Sequence, residues 1–490
     1  MAATAAPELF GPDILDGKMY SGGWVAGSER LATTEPATGE QLAEVGAAAP
    51  DDVHRAAEVA NQAQAGWAAM DPHDRAAILL RAADVLQANK DEVIGWIIRE
   101  TGSIPPKADF EIGLATAELK EAAALAPRMR GEVIPEPEGK LSIAQRMPLG
   151  VVGVIAPWNV PLVLGMRSVA PALALGNAVI LKPDPNTPVA GGFSFARIFE
   201  EAGLPEGVLH VLPGGADTGQ ALCTAPHVGM VSFTGSTAAG RKVGATCGEN
   251  LKKVALELGG KSSFIVLEDA DLDAAASSGA WGSFLHQGQI CMASGRHLVH
   301  EKVAAEYLEK LAAKAAHLPV GNPATEQVAL GPIINDKQFE KVSSIVSETI
   351  AQGAQVLAGG EGSAPYFPAT VLAEMKPDMR GWREEIFGPV APVMTFSDED
   401  EAIALANDTE YGLSNAVFTS DMGRGRRIAS SLRSGMAHIN DQTINDDARV
   451  PFGGTGASGN GGRFGGDANL DEFSQWRWTT ERATPAVYPF

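Results

Sequence analysis

From residue 151 onward, short apolar runs take turns with helix-length segments. Residues 151–156 read as a buried strand, 161–175 as a helix, 178–182 as a strand and 189–202 as a helix. Further strands are predicted at 208–212, 231–233 and 254–258. Strands and helices in alternation pack as βαβ units around a parallel sheet. Ligands of such open sheets lie in the crevice at the carboxyl ends of the strands. Chemistry is therefore expected from the residues that directly follow each run.

A second α/β region begins near Gly259, with strands predicted at 264–267, 297–300 and 416–419 and a helix at 302–316. The early chain reads as helical. Asp71 can cap a helix with Pro72 at its first position, and Ile78, Leu79, Ala82, Val85 and Leu86 fall on one face. Gly102 is a stop signal. Residues 131–145, with Pro135 and Pro137 near a turn, read as a projecting hairpin. The aromatic tail holding Trp476, Trp478 and Tyr488 packs either on its own domain or on a partner subunit. A chain of 490 residues exceeds one ordinary core, so two or more domains are expected.

The longest apolar stretch, 149–181, is interrupted by Pro157, Asn159, Pro161, Arg167, Pro171 and Asn177, which marks buried α/β core rather than a membrane span. Composition is that of a globular protein, 45% hydrophobic and 20% charged. The net charge of -22 repels phosphate backbones and argues against nucleic-acid binding. The three cysteines, Cys223, Cys247 and Cys291, form neither a disulfide framework nor a metal-ligand spacing. No basic region followed by an apolar run opens the chain, so a reducing, cytoplasmic setting is expected.

Three side chains stand out. Cys291 lies in Phe284-Leu-His-Gln-Gly-Gln-Ile-Cys-Met-Ala-Ser-Gly-Arg296, where Gly288 allows a turn with free backbone N–H groups near the sulfur. Such a setting activates a thiol and can hold an oxyanion; the plainer reading is a small buried hydrophobe. Glu257, in Leu256-Glu-Leu-Gly-Gly-Lys-Ser262, ends a strand, and burial there suits a general base. The plainer reading is an ion pair with Lys261. Asn159, in Ala156-Pro-Trp-Asn-Val-Pro161, offers a neutral donor for an oxyanion, or simply forms a turn. Phe233-Thr-Gly-Ser-Thr-Ala-Ala-Gly240 follows a strand and opens a helix, as a pyrophosphate site would, although it lacks the GxGxxG spacing. Lys182 also ends a strand and can meet ribose hydroxyls or a phosphate.

Together these segments resemble the aldehyde dehydrogenase superfamily from Glu35-Pro-Ala-Thr-Gly-Glu40 to beyond Pro451-Phe-Gly-Gly454. The resemblance implies an α/β fold in three parts. These are a Rossmann-like cofactor domain (1–128 and 148–258), an α/β catalytic domain (259–468) and a small β oligomerisation element (129–147 and 469–490). It implies a homodimer or homotetramer, an NAD or NADP cofactor and no metal. The family's cofactor positions fall on Ile155, Pro157, Trp158, Lys182, Gly235, Ser236, Gly240, Glu385 and Phe387. By the same resemblance Cys291 attacks the aldehyde, Asn159 and the Cys291 N–H hold the oxyanion, and Glu257 activates the hydrolytic water. Retention of Glu257 disfavours a CoA-acylating member.

Two departures matter. Pro185 stands where NAD-preferring relatives often carry a ribose-binding glutamate, so NADP use is expected to be tolerated, with Asp184 a partial substitute. Gly456 stands where many relatives have lysine. With His286-Gln-Gly-Gln-Ile-Cys-Met292 and Ile439-Asn-Asp-Gln-Thr443, this is similar to the benzaldehyde and vanillin dehydrogenase branch, enzymes of aromatic-compound catabolism. Positions matching the family's substrate tunnel are Val160, Leu164, Phe284, Leu285, Ile290, Met292 and Phe452, whose apolar character suits an aromatic ring. Arg167 lies near them and serves either a polar substituent or a structural ion pair. The competing reading is an aliphatic-aldehyde or semialdehyde enzyme with NADP preference. His286 is expected to orient the cysteine loop rather than transfer protons.

Overall fold

The computed structural model describes residues 9–490. One seven-stranded sheet runs in the order Lys253–Glu257, Val228–Thr234, Val151–Ile155, Ala178–Lys182, Leu209–Val211, Lys18–Ser21, Trp24–Ala26. The first five strands are parallel. Strands Val151–Ile155 and Ala178–Lys182 are buried at every position, which is why they read as unbroken apolar runs. Helix Pro161–Ala174 is buried on all sides, so it carries no polar stripe.

A second seven-stranded sheet is ordered Gln355–Ala358, Thr370–Ala373, Val390–Phe396, Arg296–His300, Ser263–Val266, Ser414–Phe418, Met436–Ile439. It is parallel except at its first pair. The third sheet joins hairpin Gly131–Ile134 and Lys140–Pro148 to the late strand Ser474–Arg482. The strand of the aromatic tail pairs with its own chain, with Trp478 Nε1 donating to Ser142 Oγ (2.8 Å) and the Arg146 guanidinium 4.5 Å from the Trp476 ring centre, while Trp476, Trp478 and Tyr488 stay exposed.

Helix Pro72–Ala88 begins as expected, with the Asp71 carboxylate accepting from the His73 N–H (2.8 Å), and Gly102 ends helix Lys90–Thr101 in the left-handed region. Two features differ from expectation. The region before the helices contributes strands Lys18–Ser21, Trp24–Ala26, Glu29–Thr34 and Gln41–Ala47. The helix expected from 189 opens instead as a π-helical turn, Val189–Phe193, before Ser194–Glu201. The buried Glu100 carboxylate accepts from the Val189 and Ala190 N–H groups, a contact across about ninety residues that local sequence does not encode.

Candidate active site

Strands Val151–Ile155 and Val228–Thr234 are adjacent, but the chain leaves them towards opposite edges of the sheet. This reversal opens a crevice at their carboxyl ends. A cleft of about 130 Å³ with a mixed polar and apolar lining lies there, including Pro157, Trp158, Gly235, Ser236, Gln338, Lys341, Glu385 and Phe387. Ser236 caps helix Thr237–Glu249, accepting from the Ala239 N–H (3.3 Å), so this helix presents its N-terminal end to the cleft. Trp158 and Phe387 meet edge to face at 5.5 Å.

A second cavity of about 510 Å³ is mainly apolar. Its walls include Phe110, Leu114, Val160, Leu164, Trp281, Leu285, Ile290, Met292 and Phe452, with Arg167 and Asp446. Asn159, Leu164 and Cys291 line both spaces. The sulfur therefore sits where the cleft meets an apolar chamber.

The cysteine loop is held by distant segments. His286, Gln287 and Gly288 have φ of 50°, 55° and 65°, a left-handed turn that two non-glycine residues adopt only under restraint. Gln287 Nε2 donates to the carbonyls of Gly102 (3.1 Å) and Pro332 (2.9 Å), and Gln289 Oε1 accepts from the Ile334 N–H (3.0 Å). At Gly288, a Cβ would stand 2.1 Å from the Gly388 carbonyl oxygen. At Gly260, it would stand 2.2 Å from the Cys291 carbonyl oxygen. The second glycine of Glu257-Leu-Gly-Gly260 thus lets this segment touch the cysteine loop. The Gly260 N–H also donates to Glu385 Oε1 (2.8 Å), tying that carboxylate to the same turn.

The electrostatics differ from the activated thiol expected from the sequence, because burial outweighs the backbone turn. Burial, then the nearby Glu385 charge, pushes the half-buried Cys291 thiol up to about 12. The Cys291 backbone N–H makes no hydrogen bond among the described residues. Asn159 is buried and spends one amide N–H on the Gln289 carbonyl (2.9 Å). Glu257 is buried with neither carboxylate oxygen in a normal hydrogen bond, and burial raises its pKa to about 8. Its alternative partner is otherwise engaged, since Lys261 Nζ donates to the Gly381 carbonyl (2.8 Å). Burial keeps the His286 ring neutral, which fits a packing role.

Several expected positions lie off the two linings. Phe284, expected in the substrate tunnel, is corrected: it ends helix Leu272–Phe284 and packs in the core beneath the second sheet. Ile155 belongs to the core of the first sheet. Gly240 is a packing position, where a Cβ would meet Leu258 at 2.2 Å. Lys182 is buried at its strand end, with Nζ donating to the Pro183 carbonyl (2.9 Å). Glu257 sits behind the linings, close enough for its charge to act on Cys291. Asp184 is held in a local turn, its Oδ1 accepting from the Asn186 N–H (2.9 Å) and side-chain amide (2.6 Å). Sequence reasoning missed Gln338, Lys341, Phe110, Leu114 and Asp446. Phe110 and Leu114 carried a signal, an apolar i, i+4 pair on helix Pro105–Leu125. The others become neighbours only through tertiary contacts.

The aldehyde dehydrogenase family profile matches residues 24–479. The vanillin dehydrogenase of Amycolatopsis sp. is 55% identical over 477 residues, 97% of this chain and 98% of that protein. The NAD(+) benzaldehyde dehydrogenase of Pseudomonas putida is 52% identical over 476 residues, with the same shares covered. The crystal structure of a salicylaldehyde dehydrogenase from Pseudomonas putida G7, complexed with salicylaldehyde, superposes with a TM-score of 0.93 at 36% identity, covering 97% of this chain and 99% of that one. With the parallel-sheet crevice, the cysteine at its mouth and a match over nearly the whole length, the chain belongs to the aldehyde dehydrogenase family.

Proposed function

We propose that the protein oxidises aromatic aldehydes to carboxylic acids through a thioester on Cys291. The carrying observation is that Cys291 and Asn159 line both the cleft and the apolar chamber. An aldehyde in the chamber and a cofactor in the cleft would then face each other across the sulfur. The named activities of the vanillin, benzaldehyde and salicylaldehyde dehydrogenases support an aromatic substrate.

The donor set fits a nicotinamide dinucleotide. The helix end with Gly235 and Ser236 suits the pyrophosphate, Lys341 adds positive charge, and Glu385, in the same lining as Trp158 and Phe387, suits a ribose diol. Bound there, the nicotinamide supplies the hydride acceptor. The NAD(+) in the Pseudomonas putida enzyme's name supports NAD. Pro185, with Asp184 held in its turn, leaves a 2′-phosphate less repelled, so NADP is tolerated.

Cys291 attacks the carbonyl carbon as its thiol proton passes to solvent. The resulting oxyanion takes hydrogen bonds from the second Asn159 amide N–H and the free Cys291 backbone N–H. Loss of the aldehyde hydrogen as hydride turns this adduct into the thioester, and Glu257 then accepts a proton from the water that hydrolyses it, releasing the acid and the Cys291 sulfur. Cys291→Ala is expected to lower turnover of benzaldehyde by about three orders of magnitude or more, with cofactor binding retained by calorimetry. Undiminished turnover would refute the assignment.

A semialdehyde reading needs a free cation in the chamber, and both lining cations are paired, Arg167 with Asp446 and Lys107 with Glu111. The proposed division into a cofactor domain, a catalytic domain and an oligomerisation element is supported by the three sheets. Self-association as a homodimer or homotetramer is supported by Val133, Trp476 and Trp478, exposed on the three-stranded sheet. The free cysteines fit a cytoplasmic setting, and among the described residues no helix is long and apolar enough to cross a membrane.

A further inference from the structure

Arg167 projects from the buried helix Pro161–Ala174 into the apolar chamber and is 3% exposed. Its Nη2 donates to Asp446 Oδ2, and its other guanidinium nitrogens donate to no protein group among the described residues. The guanidinium carbon lies 3.9 Å from the Phe452 ring centre, so the cation rests on an aromatic face with its donor edge left over. Asp446 is likewise incompletely used. Its side chain is 10% exposed, and Oδ1 is the one buried side-chain oxygen or nitrogen of this lining without a partner among the described residues.

The other polar side chains of the lining are engaged or belong to the reacting centre. Lys107 Nζ is paired with Glu111 and donates to the Asn159 carbonyl (2.7 Å), Asn445 donates to Asp441 (2.9 Å), and Gln442 is bonded to the Ile444 backbone. Away from Cys291 and Asn159, the chamber therefore offers one polar station with an excess donor beside an excess acceptor.

We propose that the Arg167–Asp446 pair selects a hydroxyl group on the ring of the aldehyde, making hydroxylated benzaldehydes the preferred substrate class. This deepens, and rests on, the aromatic-aldehyde reading above. Guanidinium only donates and carboxylate only accepts, whereas a hydroxyl does both. A methoxy group can accept from Arg167 but gives nothing to Asp446. A substrate carboxylate would meet a cation whose charge Asp446 already balances, and would sit beside a like charge.

The test compares kcat/KM for benzaldehyde with its 3- and 4-substituted hydroxy, methoxy and carboxy forms. Hydrogen bonding to charged groups predicts a hydroxyl advantage of roughly tenfold to a hundredfold over benzaldehyde at one ring position. The methoxy form should fall below the hydroxy form, and the carboxy form should be poorest. Arg167→Met should bring the hydroxy-to-benzaldehyde ratio to about one. Asp446→Asn, near-isosteric, should leave the cation uncompensated and raise the carboxy-to-hydroxy ratio about tenfold. These ratios within one variant separate recognition from a general loss of folding or rate. A wild-type enzyme indifferent to the hydroxyl, or favouring the carboxylate, overturns the proposal while aromatic-aldehyde oxidation stands. So do variants whose ratios match the wild type. Absence of turnover on every aldehyde tested overturns both.

Discussion

At the scale of single residues, Glu257 is the most exposed to test by pH. Burial raises its folded-state pKa to about 8, whereas an unfolded glutamate titrates near 4.3. The folded chain thus binds this proton where the unfolded chain has released it. Stability from this group is complete below about pH 4, declines by about 1.4 kcal/mol per pH unit above it, and levels off above about pH 8. Glu257→Gln keeps the volume and removes the titration. The variant should lose less stability than the wild type between pH 6 and 8, read as the pH dependence of the urea midpoint. The same substitution should leave one burst of reduced cofactor followed by little turnover, because hydrolysis lacks its base. Equal pH slopes, or undiminished steady-state rates, would contradict the environment and the role respectively.

At the scale of elements, the site depends on segments touching without side chains between them. Gly260 has the Cys291 carbonyl oxygen where its Cβ would be, so the loop after strand Lys253–Glu257 and the cysteine loop meet backbone to backbone. Gly260→Ala should force them apart. Overpacking of this kind costs about 1–3 kcal/mol, seen as a lower thermal midpoint. Turnover should fall further than stability, since the sulfur moves relative to Asn159. A variant with wild-type midpoint and rate would show that the loops tolerate separation. The Glu257 segment and the cysteine loop each carry one proposed reacting group, and their glycines permit the approach.

At the scale of the whole molecule, the three-stranded sheet carries hydrophobic side chains that the chain itself does not cover: Val133 is 70% exposed and Trp478 is 67% exposed. Apolar surface left in water on an ordered sheet fits the proposed association face. Replacing both residues by glutamate should shift sedimentation from oligomer towards monomer, and an unchanged sedimentation coefficient would remove this face from the interface.

Much of the architecture was legible because strands buried on both faces must be apolar throughout, and helix starts such as Asp71-Pro72 are chemically local. The early strands were not legible. Glu29–Thr34 and Gln41–Ala47 form a two-stranded pair with one another, and their burial patterns are mixed. Phe284 shows the same limit inside the site. It stands beside Leu285, a lining residue, yet it is the last residue of its helix and the backbone leaves helical geometry at Leu285, so Phe284 packs in the core.

Glu257 and Asn159 were legible as candidate reacting groups because residues at strand ends of a parallel sheet converge on one crevice, and Cys291 because of its glycine-containing turn. That Cys291 lines two spaces, that Glu257 stands behind the linings without a hydrogen-bond partner, and that Arg167 meets Asp446 from 279 residues away came from the fold alone. Burial and long-range pairing are properties of distances between remote segments. No local pattern of residues encodes them.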